Sequence, residues 1–277
     1  MENKIKTLKK KSNRVRELII EMLSIAGSGH PGGSLSSTEI ITCLFCEIMN
    51  HDPKNTQWPD RDRFHLSKGH CCPALYATLA LCGYFPLDNL KTLRKFGSLL
   101  QGHPDRRACG VELASGSLGQ GLSVALGMAL AGKLDKKEYR VYCLMGDGEI
   151  QEGNIWEAAM AAAHYHLDNL CGIIDYNGFQ IDGRVEEVMN LEPLVNKWES
   201  FGWHVVECDG HDVEALLCAF NQAKEVKRKP TMIIANTVKG KGVSFMEHVV
   251  DFHGRSPTAR EKEIALKELY DISQSID

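Results

Sequence analysis

The sequence predicts a three-layer α/β/α fold built on a mostly parallel sheet, and two observations predict it. Four short apolar runs, at 140–145, 171–175, 203–207 and 231–235, alternate with longer helix-like stretches, the order expected when parallel strands are joined by crossover helices. The runs are largely apolar at consecutive positions rather than at alternate ones. Neither face of such a strand is built for water, so the sheet needs helices on both sides.

The elements follow in order. Residues 5–26 place apolar side chains at helical spacing, and 37–49 are apolar enough for a buried helix. Residues 56–70 are polar and broken by Pro59, so they read as a loop with room for one short strand. Residues 71–83 and 87–96 read as helices. The Gly-rich segments 102–105 and 114–123 read as loops before a helix of small residues over 119–132. Helices at 153–165, 193–201 and 212–226 separate the four strands, and 258–275 forms a closing charged helix. No repeat or low-complexity linker interrupts the chain, so 1–277 reads as a single domain.

Composition narrows the function classes. A net charge of −4 argues against a nucleic-acid binder, which normally presents a basic face. No apolar run approaches the roughly 18 residues of a membrane span. The Lys-rich start leads into an amphipathic stretch and not into the apolar core of a signal peptide. A cytoplasmic protein is expected. Ten cysteines are present. Cys43 and Cys46 have CxxC spacing but lie inside an apolar stretch with no second pair at zinc spacing, so they read as reduced, buried thiols.

The run V-Y-C-L-M ends abruptly at Gly146-Asp147-Gly148. Ligands of open parallel sheets bind at the carboxyl ends of strands, and glycines let backbone approach a ligand closely. The helix that follows would offer free N–H groups to an anion such as a phosphate. An aspartate there would repel the phosphate unless a cation sat between them, so Asp147 reads as a ligand of a magnesium ion. Asn177 follows thirty residues later, after the next strand, in Asp175-Tyr176-Asn177-Gly178. That interval is one β-α-β unit, so both side chains can reach neighbouring strand ends, with the carbonyl of Phe179 close by.

These motifs, G-D-G-E-I-Q-E-G-N over 146–154 and D-Y-N-G over 175–178, resemble the signature of thiamine-diphosphate enzymes. S-G-H-P-G-G-S-L-S-S (28–37), L-S-K-G-H (66–70), G-H-P-D (102–105), G-S-L-G-Q-G-L-S (116–123), T-V-K-G-K-G (237–242) and F-H-G (252–254) narrow the resemblance to the cofactor-binding N-terminal part of transketolases. The resemblance implies a thiamine-diphosphate-binding fold, with Asp147, Asn177 and the Phe179 carbonyl on magnesium and Gly148, His70 and His253 at the diphosphate. It implies Gly116 and Leu118 against the aminopyrimidine ring, and His30, His70 and His103 at the sugar. Glu152 would enter a carboxylate pairing across a subunit interface. Ser117 stands where the family often has proline, which leaves the 116–118 backbone less rigid.

The implied reaction moves a two-carbon ketol unit from a ketose phosphate to an aldose phosphate. The cofactor supplies the electron sink and the protein supplies position and proton transfer, for which imidazoles are suited near neutral pH. Of eleven histidines, His30, His70, His103 and His253 fall in Gly-rich or loop motifs and read as one shared site. Any one of them alone would be read as structural. His51, His65, His164, His166, His204, His211 and His248 are read as structural, His65 least firmly. The Lys239-Gly-Lys241-Gly loop could cradle phosphate or simply be mobile.

The glutamate that activates the pyrimidine, and the arginines that grip sugar phosphate, belong to parts of the family pattern absent from this sequence. The expected partner is therefore a C-terminal transketolase subunit, two copies of each chain forming the hetero-oligomer, with the lone chain inactive. The alternatives are a split enzyme for a sulfosugar or apulose phosphate, a dihydroxyacetone-type synthase, and a thiamine-diphosphate-binding module without catalysis. A relative making 1-deoxyxylulose phosphate fits less well, because that group usually lacks this G-H-P-G opening.

Overall fold

The computed structural model describes residues 2–276. Five parallel strands form the main sheet: β1 (Arg63–Leu66), β2 (Val141–Gly146), β3 (Leu170–Tyr176), β6 (His204–Asp209) and β7 (Thr231–Asn236), in the order β1-β2-β3-β7-β6. A two-stranded ribbon, β4 (Phe179–Gln180) and β5 (Gly183–Arg184), follows β3 directly.

Side chains of the central strands alternate between two separate apolar clusters. Tyr142, Leu144, Ile173, Ile233 and Ala235 face one side. There they meet buried residues of helices α1 (Glu2–Ala26), α3 (Thr38–Cys43), α4 (Cys72–Leu81), α9 (Val213–Glu225) and α10 (Ala259–Ser275). Val141, Cys143, Met145, Ile174 and Ile234 face the other side. There they meet α5 (Gln120–Leu134), α6 (Gly153–His164) and α8 (Leu194–Ser200). This is the three-layer arrangement the double-sided apolar runs predict. The edge strand β6 departs from that pattern, because all six of its residues remain partly or fully exposed.

Two local expectations are corrected. Residues 87–96 form a 3-10 turn over Leu87–Thr92 followed by turns, not a ten-residue helix. The chain cannot continue helically there because Arg94 takes a φ of 60°. The helix expected over 37–49 is α-helical only to Cys43 and widens into a π-turn over Leu44–Ile48. Between the two expected helices, Pro31-Gly32-Gly33 opens a short helix α2 (Pro31–Ser36), where proline suits the first turn because it has no N–H to satisfy.

One buried network positions a loop that matters below. Arg16 of α1 donates to Glu39 Oε2 at 2.6 Å and to the Lys241 carbonyl at 2.9 Å. His211 Nδ1 meets the same Glu39 oxygen at 2.9 Å, and its Nε2 accepts from the Val238 N–H at 2.8 Å. These bonds fix the 238–241 segment between α1, α3 and the turn before α9. His211 is thus structural, as the sequence reading has it. Burial alone would push the Glu39 carboxyl up, but Arg16 and His211 outweigh it and hold it down from 4.5 to about 2. A depressed carboxyl stabilises the fold above its unfolded value and loses that contribution as pH falls. The Glu39 share is therefore complete above about pH 4.5 and is lost toward about pH 2. Denaturant titrations across that window should give a shallower loss of stability for Glu39→Gln than for the parent chain.

Candidate active site

The carboxyl ends of β1, β2, β3 and β7 converge on one cavity of about 190 Å³ lined by Lys68, His70, Asp147, Asn177, Lys239 and His253, among others. Strand register explains the convergence. Gly146 lies opposite Asp175, so Asp147 and Asn177 leave adjoining strands at the same edge, as the thirty-residue spacing implies. Phe179 and Leu118 also line this cavity.

Asp147 is buried, with 2% of its surface exposed. Its two carboxylate oxygens accept from the Gly148 N–H at 2.8 Å and the Gly178 N–H at 2.6 Å. Burial, then the charge of Asp175, pushes its carboxyl up from 3.8 to about 6. It is a carboxylate held by backbone donors that lacks a directly paired cation among the described residues. Asn177 Oδ1 accepts from the Phe179 N–H at 3.1 Å and keeps a second lone pair. Carboxylate, amide and carbonyl oxygens are a donor set for a hard divalent ion that draws further oxygens from a phosphate and water. Among the described residues no cluster of three His, Cys, Asp or Glu side chains could hold a metal alone. That agrees with a site in which one carboxylate acts beside neutral oxygens and a bound anion.

Asp175 behaves differently. It is fully buried and paired with the buried Lys68 ammonium. Ser36 Oγ donates to it at 2.6 Å and Ser37 Oγ at 3.1 Å, and Thr237 Oγ1 donates to its other oxygen. Burial would raise this carboxyl, but Lys68 and the hydroxyl donors hold it below the usual range. Asp175 is therefore committed to structure. Glu149, also buried, accepts from Ser67 Oγ, from the Gly119 N–H at 2.9 Å and from the Gly146 N–H at 3.0 Å. It ties the β1 end, the loop before α5 and the β2 end together.

The four motif histidines meet as one group. Ring centroids lie 5.2 Å apart for His30 and His70, 5.7 Å for His30 and His253, 6.4 Å for His30 and His103, and 5.1 Å for His70 and His253. Burial is the first cause that lowers each of them, to about 4 for His30 and about 3 for His253. His70 and His103 are lowered too. Nearby cations add to this: Arg94 beside His30 and His103, Lys68 beside His70, Lys239 beside His253. All four are neutral imidazoles at neutral pH, able to give one proton and accept one.

Lys239 is buried at 1% exposure and sits 3.0 Å from His253 Nδ1, with no carboxylate partner among the described residues. Burial, then Lys68, lowers it to about 8. A desolvated ammonium without a counter-charge is a receiver for an anion. Lys241 of the same loop points elsewhere, 3.7 Å from Glu247.

Four expected residues do not line the cavity: His30, whose ring packs on His70 and His253, His103, whose ring lies 6.4 Å from that of His30, and the two that follow. Gly116 packs on His103, 3.2 Å from an ideal Cβ position to the ring, and lines a neighbouring cavity with His65 and Ser117. Glu152 is exposed beside Gly119 at the start of α6 and does not line the cavity. Of the remaining histidines none lines the main cavity. Sequence reasoning missed Lys68 and Glu149 as site residues. Both lie inside quoted motifs, L-S-K-G-H and G-D-G-E, and an ionisable side chain within such a glycine loop at a strand end was the available signal.

Residues 7–273 match the family described as "Transketolase, thiamine diphosphate binding domain". The chain belongs to the transketolase family. It is 48% identical over 263 residues to the 6-deoxy-6-sulfo-D-fructose transketolase subunit SqwG of Clostridium sp. (strain MSTE9), covering 95% of this chain and 96% of that one. It is 44% identical over 273 residues to an apulose-4-phosphate transketolase subunit of Phocaeicola vulgatus, covering 99% and 97%. Against human transketolase it is 42% identical over 275 residues and spans 44% of that protein. The crystal structure of Campylobacter jejuni transketolase superimposes with a TM-score of 0.90 at 36% identity, over 96% of this chain and 42% of that chain. The α/β fold is thus that of transketolases, and the domain matched is the one that binds thiamine diphosphate. Among the described residues no helix is long and apolar enough to cross a membrane.

Proposed function

We propose that this chain is the cofactor-binding subunit of a two-subunit transketolase, a single domain that moves a two-carbon ketol unit between sugars when joined to a separate C-terminal subunit. The observation that carries the reading is the placement, in one cavity, of the cation-seeking Asp147, the anion-seeking Lys239 and neutral imidazoles. Two relatives matched almost end to end are named as transketolase subunits, which supports the two-chain assembly.

The donor set fits magnesium, and the buried Lys239 ammonium fits the diphosphate of thiamine diphosphate. Asp147, Asn177 and the Phe179 carbonyl would hold the ion, and Gly148 and Lys239 would meet the diphosphate with His70 and His253. Gly116 and Leu118, on an exposed loop, would lie against the aminopyrimidine. When bound, the cofactor supplies a nucleophilic carbon and an electron sink for cleaving the bond next to a carbonyl. The chain's own residues bind and orient the sugar and handle its protons. His30 packs on the cavity histidines and His103 lies beside it, and neutral imidazoles there would accept a proton from a sugar hydroxyl and return it. Glu152, which is exposed, would enter the carboxylate pairing at a subunit contact.

The names of those two relatives favour a modified ketose over the common pentose phosphates, and we assign the donor as a ketose with an anionic end, phosphate or sulfonate. The test is co-purification with the partner encoded nearby, then an assay of the complex and of each chain alone with xylulose 5-phosphate, apulose 4-phosphate and 6-deoxy-6-sulfofructose. The complex should transfer ketol groups and the single chains should not. Full activity of this chain by itself would overturn the two-subunit reading. In the complex, His103→Ala should leave cofactor affinity in calorimetry unchanged and lower kcat by about 100-fold, the usual scale of a lost proton-transfer group; unaltered turnover would make His103 merely structural.

A further inference from the structure

Both sugar-side histidines sit in the same tripeptide, Gly29-His30-Pro31 and Gly102-His103-Pro104, on segments far apart in sequence. One side chain touches both. The Arg94 guanidinium lies on Gly102 so closely that a Cβ there would come within 2.8 Å of Nε and 2.9 Å of Nη2. Its Nη1 donates to Ser28 Oγ at 3.3 Å, and a Cβ on Gly29 would stand 4.0 Å from Nε. A side chain at 102 would push the guanidinium aside.

We propose that Arg94 is a positioning residue that clamps the two Gly-His-Pro loops together and so fixes His30 and His103 relative to each other.

The turn that carries Arg94 is built for a fixed side-chain direction. Its φ is 60°, a region that non-glycine residues enter only when the surroundings hold them there. Its N–H donates to the Leu100 carbonyl at 2.8 Å, which closes the loop. Leu93 before it and Leu100 after it are buried, whereas Phe96 and Leu99 at the tip are exposed. Arg94 makes no ion pair with a carboxylate among the described residues, so its charge reaches the histidines uncancelled. The groups facing His30 are Arg94, Lys239, His103, His70 and His253, and the charged group facing His103 is Arg94. Arg94 is the first-ranked charged neighbour of both rings after burial. Removing it should let both rings take up a proton at higher pH, the opposite of its present effect.

This inference rests on the transketolase reading for its kinetic arm but not for its titration arm. The reconstituted complex is made with Arg94→Ala and Arg94→Lys, and kcat, KM and the pH profile are measured beside the parent complex. A misplaced catalytic group typically costs ten- to about 100-fold, so Arg94→Ala should lower kcat by about tenfold or more with cofactor affinity unchanged. Its acid limb should move to higher pH. Arg94→Lys keeps the charge but not the planar contact with Gly102, so it should keep the acid limb and still lose kcat. In parallel, ¹⁵N-histidine NMR titration of the full chain should show His30 and His103 titrating at higher pH in Arg94→Ala. Parent-like kcat and acid limb in a folded Arg94→Ala complex would overturn the clamp, as would unmoved histidine titrations. If the parent complex transfers no ketol group, the functional reading fails, while the histidine titration still decides the role of Arg94.

Discussion

Asp147→Ala should abolish magnesium-dependent binding of thiamine diphosphate by the complex, a loss of at least about 100-fold, since even groups that merely orient a metal ligand cost 10–100-fold. The expectation follows from what surrounds the carboxylate. Asp147 is buried at the end of β2, held by the Gly148 and Gly178 N–H groups, and raised to about 6 by burial and by Asp175. Such a charge is costly without a cation and well placed with one. Truncation leaves two backbone donors unsatisfied, at about 1–3 kcal/mol, so the Ala variant also loses some stability. Asp147→Asn separates the two effects, because it keeps the volume and an acceptor but removes the charge. It faces one of the two backbone donors with an NH2 group, so it should lose less stability than the Ala variant and still bind the cofactor poorly in calorimetry. Parent-like affinity in the Asn variant would remove the Asp147 charge from the metal site.

Lys68→Met should destabilise the chain by about 3–5 kcal/mol, the range for breaking one side of a buried ion pair. Lys68 and Asp175 have side chains only 2% and 0% exposed. With the ammonium gone, the Asp175 charge stays buried on hydroxyl donors and the Asn177 amide, with no cation, and β3 loses its tie to the β1 end. Denaturant unfolding followed by circular dichroism reads the effect. Adding Asp175→Leu should recover much of it, since replacing both charges removes the uncompensated one. The exposed pair of Lys91 and Asp88 serves as control, and Lys91→Ala should change nothing measurable. If Lys68→Met unfolds at the parent's midpoint, the pair is not what joins those strand ends.

The parts of this molecule that were legible in the sequence share a property. Their meaning is local. Gly146-Asp147-Gly148 puts a charge where an apolar strand stops, and Asn177 follows at the interval of one crossover unit. The four site histidines each stand beside proline or glycine in a loop, and the structure brings their rings together. The double-sided apolar runs gave the layers, and alternate residues of β2, β3 and β7 do enter opposite cores.

What was not legible depends on partners distant in sequence. Nothing near Lys68 says that it will pair with Asp175, 107 residues away. Glu149 looks like a helix-start acid until Ser67 and Gly119 are seen to donate to it. Arg94 sits in a stretch whose leucine spacing suggests a helix, yet its backbone turns left-handed and its side chain reaches two remote loops. Lys239 and Lys241 are equivalent in the sequence. The loop is fixed by bonds such as those from Arg16 to the Lys241 carbonyl, from the Val238 N–H to His211 and from the Gly240 N–H to the Gly32 carbonyl, and in it Lys239 is buried while Lys241 is not. In each case a tertiary contact decides the role, and periodicity carries no signal for it.

The account stands on a divalent ion seated where β2 and β3 end. Manganese can replace magnesium and scatters anomalously, so a crystal of the complex grown with manganese and thiamine diphosphate tests it directly. One anomalous peak is expected within about 2.0–2.3 Å of an Asp147 carboxylate oxygen, Asn177 Oδ1 and the Phe179 carbonyl, the range for such oxygen ligands. Bound thiamine diphosphate with no metal peak at those three oxygens would contradict it.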